Sequence, residues 1–295
     1  MWQRIRTAVV LLILVGVAMF ALPSPVLMLP LLLFAAAVAG YEWTKITAPN
    51  AEAPQVTLPL PQTTLSSVRQ QNSQYAYIYA TATLLATAQA LWFAPSWVIL
   101  WVAACVVWLL VIGWVKAYPE NIQRWYHPQR LAVLGVLLIA ATMTAVFALW
   151  QQSPWLLLYV FVLVWCADSG AYFVGRKFGR RKMAPVVSPN KSIEGLLGGL
   201  AAGSLVVLSV AFGRFGAWSG LAIALFLLLS LITIVMSVFG DLFESMLKRH
   251  AGVKDSGRIL PGHGGILDRI DSQLSAMPIF AFGFWALQHF LGVTI

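Results

Sequence analysis

The sequence predicts an all-α integral membrane protein of about nine transmembrane helices, with a cytoplasmic N-terminus and a C-terminus on the outer side. Three observations predict it. Hydrophobic residues make up 60% of the 295-residue chain and charged residues only 10%, against about 25% charged in a soluble domain. Apolar runs of about 20 residues, the length that crosses a bilayer, recur along the chain. Lysine and arginine collect in alternate connections, as the positive-inside rule requires.

Taken in order, the runs lie at roughly 5–21, 23–41, 76–93, 96–115, 131–149, 155–174, 195–213, 217–239 and 275–293. The first resembles a signal peptide because Arg4 and Arg6 precede it. A second run follows at once, after Pro23 and Pro25, with no small-x-small cleavage site, so 5–21 reads as a span. With the N-terminus inside, 18 of the 19 Lys and Arg fall on the cytoplasmic side, and only Arg214 falls outside. Residues 1–150 then form an N-terminal region of about five helices, and 151–295 a C-terminal catalytic region of about four, with cytoplasmic loops 175–194 and 240–274. The 42–75 stretch, rich in Pro, Thr, Gln and Ser, reads as a surface connector. Trp92, Trp97, Trp114, Trp150, Trp155 and Trp218 lie near helix ends, as an interfacial belt does.

The net charge of +9 could signal nucleic-acid binding, but a mean hydropathy of +0.81 places the chain in a bilayer. Cys105 and Cys166 sit inside apolar stretches and read as inert packing residues.

The acids carry the chemistry. Glu42, Glu52 and Glu120 read as ordinary solvated charges, and Glu194 closes the basic 175–194 loop. Asp168 falls inside the sixth apolar run. A carboxylate there costs at least about 2.5–3.5 kcal/mol to insert, so it should face a cavity with a partner, as part of a site or of a structural ion pair. Asp241, Glu244, Asp255, Asp268 and Asp271 crowd into one short segment. Asp241, Ser245 and Lys248 share a face at helical spacing, and Asp268 and Asp271 do so just before the ninth run. Two such pairs could converge on one hard cation, Mg²⁺ by its preference for oxygen, or could merely neutralise Lys248, Arg249 and Arg269.

Between the pairs, Pro261, Gly262, Gly264 and Gly265 exclude a continuous helix and let backbone approach a ligand. N–H groups in such a turn can nest an anion, helped by Lys254 and Arg258, with His263 a donor to phosphate or a structural residue. In 175–194, five basic residues suit anchoring on anionic lipid. Ser188, Asn190 and Lys191 stand before the seventh helix, where Asn190 or Ser192 can cap an N-terminus that holds phosphate. Gly195, Gly199 and Gly203 form a stripe for close helix packing.

The run Ser245-x-x-Lys248-Arg249, Lys254-Asp255-x-Gly257, Pro261-x-His263-Gly264-Gly265, Asp268-Arg269-x-Asp271 resembles the signature of the phosphatidate cytidylyltransferase (CDP-diacylglycerol synthase) family. Two more blocks, Ala167 to Tyr172 and Ala184 to Gly195, resemble the same family, so the resemblance covers about 155–275. It implies a membrane enzyme that makes CDP-diacylglycerol and pyrophosphate from CTP and phosphatidate with Mg²⁺. By position Asp241 and Asp268 look like metal ligands, with Asp168 and Asp271 serving a second cation or orienting the first. It also implies a cavity open to cytoplasm and lipid, and dimers.

On this reading Asp241, Asp268, Asp271, Lys248 and Arg249 carry catalysis. Ser188, Asn190, Lys191, Lys254, Asp255, His263, Gly264 and Gly265 bind substrate. Mn²⁺ in place of Mg²⁺, and an added monovalent ion, stay open. Partners are CTP, phosphatidate, the bilayer and a second copy of the chain, with no nucleic acid. The location is a bacterial inner membrane with the site facing the cytoplasm. Alternatives are another metal-dependent lipid transferase or an ion-coupled transporter, since intramembrane acids also mark ion pathways.

Overall fold

A computed structural model describes residues 2–21, 25–47, 62–214 and 218–293. Its elements are α1 (Trp2–Phe20), α2 (Pro25–Thr47), α3 (Gln62–Trp92), α4 (Trp97–Lys116), the short α5 (Ile122–Trp125), α6 (Pro128–Gln152) and α7 (Pro154–Phe178). There follow a hairpin of β1 (Lys182–Ala184) and β2 (Ser188–Ser192), then α8 (Ile193–Arg214), α9 (Gly220–His250) and α10 (Leu267–Leu291). The protein is a helical integral membrane protein. Among the described residues seven segments are long and apolar enough to span, namely α2, α4 with its preceding 3₁₀ turn, α6, α7, residues 193–210 of α8, α9 and α10. The apolar part of α1, Ile5–Phe20, is shorter, and α3 opens with a polar turn.

Local chemistry sets the boundaries. Pro128 and Pro154 start α6 and α7, where the missing N–H costs nothing, and Ser153 between them is extended as a residue before proline must be. Ser219 caps α9 by accepting the Ala222 N–H at 3.2 Å. Ser192 caps α8 by accepting the Gly195 N–H at 3.1 Å, one of the two caps read from sequence.

Burial orders the bundle. The apolar window of α6 is 72% buried and that of α8 only 22%, so α6 is central and α8 peripheral. Trp43, Trp108 and Trp114 gather around Phe243, fastening α2 and α4 to α9. The α7–α8 contact is built on small residues, as membrane helices that lack a hydrophobic drive require. A Cβ on Gly199 would lie 2.8 Å from the Ala167 carbonyl oxygen, and one on Gly195 3.0 Å from that of Ala171.

Four expectations change. The 175–194 loop contains a small antiparallel hairpin, so the chain is not purely α. Helix α3 starts at Gln62, inside the stretch read as a connector; its remainder, 48–61, lies outside the described residues. Trp150 is buried and donates to the Met19 carbonyl at 3.0 Å, so it is a packing residue rather than part of a belt. Glu42 is not solvated; it is fully buried.

Candidate active site

Helix α9 does not stop at the end of its apolar run. It continues to His250 and carries Asp241, Glu244 and Lys248 on into the polar segment. The chain then turns at Gly252, whose φ of +68° suits glycine, with the Val253 N–H closing on the Lys248 carbonyl at 2.9 Å. It returns as α10, which carries Asp268 in its first turn and Asp271 one turn later. At Gly240 the two helices touch; a Cβ there would lie 2.5 Å from the Asp271 carbonyl oxygen. That close approach sets the two acidic pairs side by side.

Each lysine of the site binds one of these acids. Lys191, on β2, reaches Asp241 Oδ2 at 2.6 Å, while Ser245 donates to Asp241 Oδ1 at 3.1 Å. Asp168 of α7 and Asp271 both lie within electrostatic reach of Lys191 and Asp241, with Ser272 close to Asp168. Asp168 is exposed and Lys191, Asp241 and Asp271 are partly exposed, so this face of α7, β2, α9 and α10 is open to solvent. Deeper in, Lys248 bridges Asp268 Oδ1 at 2.7 Å and Glu244 Oε1 at 3.4 Å. Glu244 is buried, faces Asp271, and neither of its oxygens receives a hydrogen bond.

Asp268 also organises the glycine turn. Its Oδ2 accepts the N–H groups of Gly265 at 2.8 Å and Ser256 at 3.0 Å. Gly264, at φ +82°, lets the chain pass; a Cβ there would lie 2.6 Å from Asp268 Oδ2. Beneath the turn lies Glu42, from the C-terminal end of α2. Its Oε2 accepts the Leu267 N–H at 2.8 Å and the Ser256 hydroxyl at 3.5 Å, and its Oε1 is buried without a donor. Thr7 of α1 donates to the Pro261 carbonyl at 3.1 Å. The N-terminal helices therefore hold the turn that the C-terminal region displays.

Of the residues named from sequence, Asp168, Lys191, Asp241, Lys248, Asp268 and Asp271 come together, with Gly264 and Gly265 alongside. Ser188 is half-buried on β2. Arg249 is exposed and donates to the Val187 carbonyl at 3.4 Å, tying α9 to the hairpin. Asn190, Lys254 and Asp255 are exposed, and His263 is half-buried with its Nδ1 unpartnered. Two residues that matter were missed. Glu244 was seen in the acidic run but given no role. Glu42 was set aside, although Ala36, Ala39, Trp43 and Ile46 mark a buried helical stripe that includes it.

Five carboxylates, Asp168, Asp241, Glu244, Asp268 and Asp271, thus surround two lysines, with Glu42 beneath the adjoining turn. Among the described residues no three His, Cys, Asp or Glu side chains close into a ready-made metal cage. Mg²⁺ does not demand one, since it is usually held by one or two carboxylates and completes its shell with water and substrate phosphate. An excess of acids over lysines, with Glu244 oxygens undonated, fits a hard cation.

A helical bundle in a membrane, with five carboxylates and two lysines clustered at one end, has the make-up of an integral-membrane enzyme that handles phosphate groups. The model of the cytidylyltransferase family matches residues 2–287. The chain belongs to that family and is a CTP-using nucleotidyltransferase. It is 38% identical to the phosphatidate cytidylyltransferase of Haemophilus influenzae over 95% of this chain and 97% of the relative. It is 39% identical to that of Pseudomonas aeruginosa over 75% of this chain and 81% of the relative. The Staphylococcus haemolyticus enzyme of the same name is 51% identical over 42% of this chain and 46% of its own.

Proposed function

We propose that this chain converts CTP and phosphatidate to CDP-diacylglycerol and pyrophosphate. The observation that carries the reading is end-to-end similarity to relatives named for that reaction. An oxygen of the lipid phosphate attacks the α-phosphorus of CTP. A new P–O bond forms, the bond from the α-phosphorus to the bridging oxygen breaks, and pyrophosphate leaves. A phosphate monoester, with a second pKa of about 6, is already largely dianionic at neutral pH, so no general base is needed. Catalysis then rests on positioning and charge.

Lys191, at the accessible side of the cluster, uses N–H groups not committed to Asp241 to hold one substrate phosphate. Lys248, deeper and fixed by Asp268 and Glu244, sets the positive potential behind the reacting phosphates. Arg249 holds the hairpin, and so Lys191, in register with α9. The glycine turn, pinned by Asp268 and Glu42, lies against the nucleotide, with Lys254, Asp255 and His263 at its rim. Asp241, Asp271 and Asp168 would hold Mg²⁺, with Mn²⁺ the natural substitute. Asp268 would join them only by exchanging Lys248 for the ion. When bound, the ion neutralises phosphate charge and stabilises the pyrophosphate leaving group.

The proposal includes nine crossings, with the site facing the cytoplasm at a bacterial inner membrane and two copies associating. Three contacts support the alternation. Thr7–Pro261 and Glu42–Leu267 bring the start of α1, the end of α2 and the turn to one face. Trp150–Met19 brings the ends of α1 and α6 to the other. CTP arrives from the water, and phosphatidate from the bilayer.

The test is purified protein in detergent with phosphatidate, Mg²⁺ and each nucleoside triphosphate in turn, following pyrophosphate. Release that needs both CTP and lipid is expected. Release without lipid, or none across varied lipid and metal, overturns the reading.

A further inference from the structure

Away from the acidic cluster, a cavity of about 380 Å³ opens between the end of α4 and the start of α6. Trp114 and Trp125 form one wall, stacked with ring centroids 4.9 Å apart and planes 6° apart. Asn121, Arg124 and Arg130 supply its polar lining. Both arginines are exposed, and among the described residues neither is paired with a carboxylate. Trp125 is 7% exposed, and its indole N–H is buried with no acceptor among the described residues. Glu120 is the one acid beside this lining in sequence, and it is exposed. The cavity therefore presents two guanidinium groups and an amide, and asks for an anionic, acceptor-rich occupant.

Its position narrows the occupant further. Helix α4 ends at Lys116 and α6 begins at Pro128, so the cavity lies where two spanning helices meet the headgroup layer. Leu131 and Leu134, the remaining lining, are on α6 just inside it, where the first methylenes of an acyl chain would run. Paired tryptophans suit the same depth, and basic pockets between membrane helices on the cytoplasmic side suit anionic headgroups. We propose that this cavity binds the phosphodiester headgroup of an anionic phospholipid, with Arg124 and Arg130 on the phosphate and Leu131 and Leu134 against the chain. Neither arginine is among the residues of the acidic cluster, so the proposal stands or falls apart from the catalytic reading. The site touches the catalytic helix through Trp114, which packs on Phe243 at 6.3 Å, and through Tyr126, which packs at a tilt on His250 at 4.0 Å.

The test is native mass spectrometry of protein taken from nanodiscs of phosphatidylcholine with added phosphatidylglycerol. Wild type should retain one phosphatidylglycerol selectively. Arg124→Gln and Arg130→Gln should each weaken retention about fivefold at low salt, and the double variant more. Arg124→Lys with Arg130→Lys should keep most of the selectivity, and turnover in phosphatidylcholine should survive in every variant that folds. Should the double variant not fold, Arg130→Gln alone carries the test. Unchanged retention in Arg130→Gln overturns the proposal. So does displacement of the lipid by millimolar inorganic phosphate, which would make the site one for free anions. Selective retention of phosphatidate with indifference to phosphatidylglycerol overturns it as well, since the cavity would then be a substrate site.

Discussion

Glu42 accepts the backbone N–H of Leu267 at 2.8 Å, across 225 positions of sequence. The contact joins the end of α2 to the first residue of α10, immediately before Asp268. Helix N-termini leave N–H groups without partners, and here a buried carboxylate from a distant helix takes one of them. Replacing Glu42 by Ala leaves the Leu267 N–H and Ser256 hydroxyl without this acceptor, a penalty of about 1–3 kcal/mol for a buried group. Glu42→Ala should therefore unfold at lower temperature in detergent and lose turnover by about tenfold or more. Glu42→Gln, which keeps an acceptor, should recover part of both. Wild-type melting and turnover in Glu42→Ala would remove Glu42 from any role in shaping the turn.

Glu42 also marks where sequence reading runs out. Asp241 and Ser245 are hydrogen-bonded because they are four apart on a helix, and that relation is local. The Ser192 cap is local as well, and the Gly195 and Gly199 stripe was readable from spacing although the helix it packs on was not. Glu42 has no local partner; its donors come from the far end of the chain. Asp268 was readable as an acid near a cation, but its grip on Gly265 and Ser256 uses backbone N–H groups, which residue type does not reveal. The hairpin was missed because its short strands, one containing Pro189, carry no alternating apolar pattern.

Lys191 and Asp241 should behave as one unit. They meet at 2.6 Å with side chains 23% and 31% exposed, so the pair is only partly screened by water. Lys191→Gln and Asp241→Asn should each abolish most pyrophosphate release. The double variant should be far less than the product of the two losses, with a coupling of about 0.5–3 kcal/mol from initial rates. Strict multiplication of the two effects would mean that the pair acts as two independent groups.

The two aspartates expected to share a metal should separate under titration. Asp241 is held by Lys191 and Ser245 but keeps a side chain 31% exposed, whereas Asp268, with a side chain 5% exposed, is committed to Lys248 and two N–H groups. Asp241→Asn should raise the Mg²⁺ concentration for half-maximal activity well beyond the rise in Asp268→Asn. Asp268→Asn should instead destabilise the fold by about 1–3 kcal/mol, because it removes the shorter of Lys248's two ion pairs in a largely buried place and leaves Glu244 as the other partner. Paired Mg²⁺ titrations and thermal unfolding measure both. Equal shifts in Mg²⁺ dependence, with equal stability, would put the two residues on the same ion.

The glycine turn offers an internally controlled test of how Asp268 acts. Gly252 and Gly264 both have positive φ, +68° and +82°, so an alanine at either meets the left-handed penalty of about 1–2 kcal/mol. They differ in surroundings. A Cβ at Gly252 meets nothing within 4 Å, while one at Gly264 meets Asp268 Oδ2 at 2.6 Å. Gly252→Ala should therefore lose stability and keep its turnover per folded molecule. Gly264→Ala should lose turnover as well, because Asp268 must shift and release the Gly265 and Ser256 N–H groups. The comparison is made on pyrophosphate release per folded molecule, with unfolding temperature measured alongside. Equal turnover in the two variants would show that the turn tolerates movement of Asp268, and that its grip on the backbone is not what aligns the nucleotide.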